Sequence, residues 1–172
     1  VVCGIVTVLP GPLLPVMAQV FGAEAPGSTL LCQSELLAAL RYQDKNAEAE
    51  AQYRVFLPVA VRVLGPEDAE TLRARACHAD VLLHLHKADE AAREYQTLLT
   101  AQEHVHGPEH EDALATCHQM ALCLREQGKI TEALPYARRA LAGRLKALGK
   151  DHPDTQAAQE LVNDLTKLAA KA

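Results

Sequence analysis

Gly65, Gly107 and Gly149 stand at equal intervals of 42 residues, and the text around them repeats as well: Leu64-Gly65-Pro66-Glu67, His106-Gly107-Pro108-Glu109, then Leu148-Gly149-Lys150-Asp151-His152-Pro153. A fixed period of this length means that one supersecondary unit, unable to bury its apolar face alone, stacks on copies of itself. The expected product is an open array with an extended surface. Such surfaces generally take other proteins.

The chain has 172 residues, 49% of them apolar, which is enough for a core. It has no Trp, two Phe and four Tyr, so Ala and Leu carry the packing, and this composition suits close helix pairs rather than a sandwich or barrel. The formal net charge of -5 argues against general nucleic-acid binding, because phosphate contacts need a basic field. The five cysteines, Cys3, Cys32, Cys77, Cys117 and Cys123, contain no metal-knuckle spacing, and an odd number fits a fully paired disulfide framework poorly. They read as reduced thiols acting as small hydrophobes.

At the 42-residue step Lys45, Lys87 and Lys129 share one column, Ala49, Ala91 and Ala133 another, and Leu40, Leu82 and Leu124 a third. A small residue four positions after the Lys lets paired helices approach closely. Apolar spacing predicts helices near 30–43, 47–63, 68–86, 89–105, 110–127, 131–147 and 153–169. Gly65-Pro66 and Gly107-Pro108 are stop and start signals, while Gln43-Asp44-Lys45-Asn46 and Gln127-Gly128-Lys129 mark tight turns inside units. Pro135 is expected in the first turn of its helix; Pro58, deeper in its own, is expected to bend or interrupt it. The last element, ending near Lys167 and Lys171, reads as a solvated cap.

Residues 1–20 carry no charge, and Pro10, Pro12 and Pro15 break any continuous helix. That is too broken for a membrane span. Three readings stand: Leu13 to Phe21 as a short helix of a degenerate leading repeat, an apolar anchor for a membrane surface or a partner, and an export signal.

The helix-turn-helix unit, the small residue in its second helix and the linker at residues 148–155 resemble the tetratricopeptide repeats of kinesin light chain. The resemblance is densest from His118-Gln119-Met120-Ala121 through Gly128-Lys129-Ile130-Thr131-Glu132-Ala133 to Ala140-Leu141 and Leu148-Gly149-Lys150-Asp151-His152-Pro153-Asp154. It covers residues 22–170 and is similar to free-standing bacterial chains that look like companions of bacterial tubulins. It implies an all-α, right-handed solenoid of about three and a half repeats. The apolar N-terminal segment would occupy residues 1–21 and the repeats 22–64, 65–106 and 107–148, with a capping helix in 149–172. It further implies an adaptor whose first helices line a concave groove. The family's paired Asn is absent, since those columns read Ser34-Glu35, Ala76-Cys77 and His118-Gln119. Glu35, Tyr42, Arg73, Asp80 and Gln119 are the candidate groove contacts instead.

No phosphate-cradling loop, nucleophile elbow or His-Glu-x-x-His pair appears, so neither enzyme nor cofactor is expected. His104, His106 and His110 cluster at a linker and His84 and His86 at a helix end, but none gives the i, i+4 pair of a helical metal site, and no metal is expected. Arg138, Arg139, Arg144, Lys146 and Lys150 form a stretch with no acidic residue between them. They complement the C-terminal end of a helix dipole or form a docking patch for an anionic membrane or an acidic protein surface. The sequence reading is therefore a non-catalytic, cytoplasmic adaptor. Its expected partner is a protein, in the concrete version a tubulin-like filament linked to a membrane. The alternatives are a self-assembling homo-oligomer and an exported sensor or chaperone fragment.

Overall fold

The computed structural model describes residue 37 and residues 45–170, in which all regular structure is helical. The helices are α1 (Asn46–Val63), α2 (Ala69–His84), α3 (Ala88–His106), α4 (Glu111–Glu126), α5 (Ile130–Leu148) and α6 (Pro153–Ala169). The expected helix at 30–43 lies outside this range apart from the buried, helical Leu37. Among the described residues no helix is long and apolar enough to cross a membrane. The chain divides between Leu85 and His86 into two compact units.

The repeat columns explain the joints. Asp68, His110 and His152 precede α2, α4 and α6 in extended conformation, and each side chain accepts a hydrogen bond from the backbone N–H two residues on, at 2.9, 3.3 and 3.2 Å. This satisfies one of the orphan donors of a helix start. Lys45, Lys87 and Lys129 precede α1, α3 and α5 with nearly identical backbone angles and no side-chain cap. Gly107 and Gly149 end α3 and α5 at φ 91°, ψ 161° and φ 81°, ψ 171°, a region open essentially to Gly alone.

In the first unit α1 packs on α2. Tyr53, Phe56, Leu57 and Ala60 of α1 are buried with Ala74 and Val81 of α2, and the Tyr53 ring lies 5.7 Å from that of His78. In the second unit α4 packs on both α3 and α5, and α5 on α6. There Leu99, Ala113, Cys117 and Ala140 form a core with Tyr136 against it. A hydrogen bond of 2.7 Å from the Thr116 hydroxyl to Gln102 Oε1 is buried between α4 and α3. The column Ala49, Ala91, Ala133 is fully buried throughout, as close helix approach requires. On α6, Thr155, Ala158, Leu161 and Leu165 face inward, while Gln156, Gln159, Glu160, Asn163, Asp164 and Lys167 face solvent.

Of the two alternatives for Pro58, interruption is excluded, and Pro135 stands deeper in its helix than expected. Pro58 does not interrupt α1, which runs unbroken from Asn46 to Val63. Pro135 is the sixth residue of α5 rather than a first-turn residue, because the helix starts at Ile130. Each ring sits on an exposed face, where water can serve the carbonyl whose N–H donor the proline lacks.

Candidate partner-binding surface

On α4 the residues at i, i+3, i+4, i+7 and i+10 from Ala115 are all half-buried: Ala115, His118, Gln119, Leu122 and Arg125. Packing leaves this strip uncovered, since Leu114, Cys117, Met120, Ala121 and Leu124 turn into the core. On α2 the same columns hold Arg73, which is exposed, and Ala76, Cys77, Asp80 and Leu83, which are half-buried. Of the expected groove contacts, Arg73 and Asp80 therefore lie on the α2 strip and Gln119 on the α4 strip. Glu35 and Tyr42 fall outside the described residues.

Electrostatics differ between the strips. Arg73 is held by Glu70 one turn earlier at 2.7 Å, and this hydrogen bond raises the Arg73 pKa above its ordinary value. On α4 the strip residue with a shifted pKa is His118, which the sequence column identified without giving it a role. Burial first, then Arg144 and Arg125, lower its pKa to about 4 against the opposing pull of Asp154. His118 is therefore neutral near pH 7, and its Nδ1 has no hydrogen-bond partner among the described residues. A neutral imidazole and a primary amide side by side offer donors and acceptors without net charge.

The basic stretch is less isolated in space than along the chain. Arg139 pairs with Glu103 of α3 and also donates to the Pro108 carbonyl at 2.8 Å. Lys146 reaches Glu109 at 2.6 Å, and this contact lowers the Glu109 pKa. Arg144 donates to the Asp154 carbonyl at 3.1 Å. Arg138 and Lys150 are exposed. These arginines and lysines thus tie α5 to its neighbours as well as charging its surface. Among the described residues no group of three or more His, Cys, Asp or Glu could hold a metal ion; the His106 and His110 rings stack face to face at 4.6 Å.

A second concavity went unseen in the sequence. Asp89, Arg93 and Gln96 of α3, Met120 and Leu124 of α4, and Lys129, Glu132 and Tyr136 at and after the start of α5 line a cleft of about 420 Å3. Met120 and Leu124 are buried and form its floor; the four charged residues are exposed at its rim. The Tyr136 hydroxyl hydrogen-bonds Gln96 Oε1 at 3.3 Å, while Gln127 Nε2 donates to the Ala88 carbonyl at 3.0 Å. Its only sequence trace is the i, i+3, i+4, i+7 spacing of Asp89, Ala92, Arg93 and Gln96, which alone reads as a solvated helix face.

Residues 70–146 match the Tetratricopeptide repeat family. No curated protein matches the sequence. Among solved structures, the crystal structure described as the Podosopora anserina putative kinesin light chain with nearly identical TPR-like repeats is similar over 92% of this chain and 75% of that one, at 21% identity and a TM-score of 0.75. The crystal structure of BtubC (BKLC) from P. vanneervenii is similar over 90% of this chain at 17% identity and a TM-score of 0.79; the match spans 62% of that protein's chain.

Proposed function

We propose, on the premise that this chain has an all-α fold of the tetratricopeptide-repeat type, that it is a non-catalytic adaptor and that each unit carries its own partner-binding strip, on α2 in the first and on α4 in the second. One contrast carries the reading. The small-residue column that close helix approach needs stays Ala at Ala49, Ala91 and Ala133, whereas the strip columns change chemistry. Arg73 becomes Ala115, Ala76 becomes His118, Cys77 becomes Gln119 and Asp80 becomes Leu122. Side chains that packing does not dictate, on a rigid helical frame, are where recognition is written. Arg73, Asp80, His118 and Gln119 are the contacts this reading names, together with Glu35 and Tyr42.

A tubulin-like filament is the concrete partner in this reading, supported by the fold likeness to BtubC. Membrane attachment would run through residues 1–20 together with the exposed Arg138 and Lys150. Co-sedimentation with polymerised bacterial tubulin tests the first part, with Arg73→Glu and the double change His118→Ala, Gln119→Ala as strip variants. Pelleting of the intact chain, weakened at least about tenfold in either variant, supports it. Pelleting that is equal in all three removes the strips from the interaction. Flotation with anionic vesicles, with and without residues 1–20, decides the membrane link: it stands only if the intact chain floats and the shortened one does not.

A further inference from the structure

The cleft between α3, α4 and α5 lies on the other side of α4 from the strip. Met120, Leu124 and Gln127 project about half a turn away from His118 and Leu122. Four observations set it apart. Its rim holds two carboxylates, Asp89 and Glu132, and two cations, Arg93 and Lys129. None of these four side chains makes an ion pair or side-chain hydrogen bond among the described residues, although Asp89 and Arg93 are one helical turn apart. Binding a charged ligand there breaks no internal pair. Second, the floor is apolar, with Met120 and Leu124 4% and 7% exposed. Third, Gln127 of the cleft wall is held in place by its bond to Ala88, and its buried Oε1 accepts no hydrogen bond among the described residues. Fourth, the repeat does not require the α3 charges. The columns of Asp89 and Arg93 hold Ala47 and Ala51 one repeat earlier and Thr131 and Pro135 one repeat later. Lys129 and Glu132, by contrast, sit in columns that read Lys87 and Glu90 before them.

We infer that this cleft is a second protein-binding site, taking a short peptide segment that carries one basic and one acidic side chain on either side of an aliphatic residue. The aliphatic side chain covers Met120 and Leu124, and its burial supplies the favourable term. The basic side chain meets Asp89 and Glu132; the acidic one meets Arg93 and Lys129. A ligand of a single charge would place two like charges at the rim against its own, so the balanced rim selects for mixed charge. The site is independent of the α2 and α4 strips, so the two could be occupied together.

The test uses the full chain, isotope-labelled and assigned, titrated with a blocked pentapeptide that has Lys and Glu at its ends and Leu at its centre. Saturable shifts at Met120, Leu124 and Tyr136 are expected. Affinity should fall at least about tenfold when both end residues are Gln, which corresponds to loss of the two charge contacts. In the double variant Arg93→Glu, Lys129→Glu the mixed-charge peptide should weaken and a peptide with Lys at both ends should bind better. Both positions are exposed, so helicity by circular dichroism should be unchanged; if it is not, the peptide series on the native chain still decides. Equal binding of the Gln-ended peptide, shifts that map elsewhere, or no shifts up to millimolar peptide would each overturn the inference.

Discussion

The hairpin of α1 and α2, which joins two repeats, and the hairpin of α4 and α5, which lies within one, pack their equivalent helices α1 and α5 with opposite materials. On α1 the buried face is bulky, with Tyr53 and Phe56; two repeats on, the same columns of α5 hold Ala137 and Ala140, all four at 1% exposure or less. Where α1 has Val59, α5 has Gly143, whose hydrogen points at the Leu114 side chain so closely that a Cβ there would stand 2.3 Å from Leu114 Cδ1. One hairpin fills its interface with aromatic volume; the other closes the distance. The repeat therefore fixes which positions point inward, and the volume each contributes is settled locally, at native packing density.

Exchanging the two materials is the direct way to break this contrast. Phe56→Ala gives α1 the residue α5 uses, and because the surrounding wall cannot close onto it, unfolding should become easier by about 3–5 kcal/mol in urea denaturation. The reverse change, Ala140→Phe, puts the residue of α1 into the closed interface and should cost about 1–3 kcal/mol through forced repacking around Leu99 and Cys117. A neutral outcome for either would mean that the two hairpins are interchangeable after all.

Acid should separate the hairpins next. His118 of α4 has a folded pKa depressed to about 4, so between the unfolded value of about 6.5 and about 4 the unfolded chain takes up a proton that the folded one refuses. Stability from this group is present above about pH 6.5 and is lost as pH falls toward 4; with solvent reaching part of the ring the loss should not exceed about 2 kcal/mol. His118→Gln should flatten that part of the pH profile of the melting temperature. The smallest effect concerns a turn. His86 has φ 57°, where the next repeat has Gly128 at φ 74°, so His86→Gly should stabilise by about 1 kcal/mol or less, as an L-residue is relieved of the left-handed region. A loss of stability would show that the His86 side chain holds contacts worth more than its backbone costs.

Most of this architecture was legible in the spacing of residues. The helices near 47–63, 89–105, 110–127, 131–147 and 153–169 fall within about two residues of the observed limits, because period and stop signals are local properties. The burial of Ala49, Ala91 and Ala133 followed from the same columns. What escaped depends on neighbours far along the chain. The effect of Pro58 and Pro135 turns on which face meets solvent. The partners of Arg139 and Lys146, Glu103 and Glu109, lie more than 30 residues away on another helix and in a linker. The mixed-charge cleft needs three helices to exist at all, so no single stretch announces it. Gln119, Arg73 and Asp80 were expected as groove contacts from the family resemblance, and they lie on half-buried or exposed helix faces, while the depressed pKa of His118 came only from the burial and the arginines assembled around it.

The joints described above also make the chain editable. Gly107 and Gly149 leave their helices with nearly the same backbone angles, and His110 and His152 open the next helices with the same imidazole acceptor. Deleting residues 107–148, or duplicating them, would therefore join ends that already match, His106 running into Gly149 as it now runs into Gly107. In a gene, such a segment behaves as a cassette. Unequal crossing-over could lengthen or shorten the protein in steps of one repeat without inventing a new turn, and each added step would bring another stretch of helix surface free to diverge.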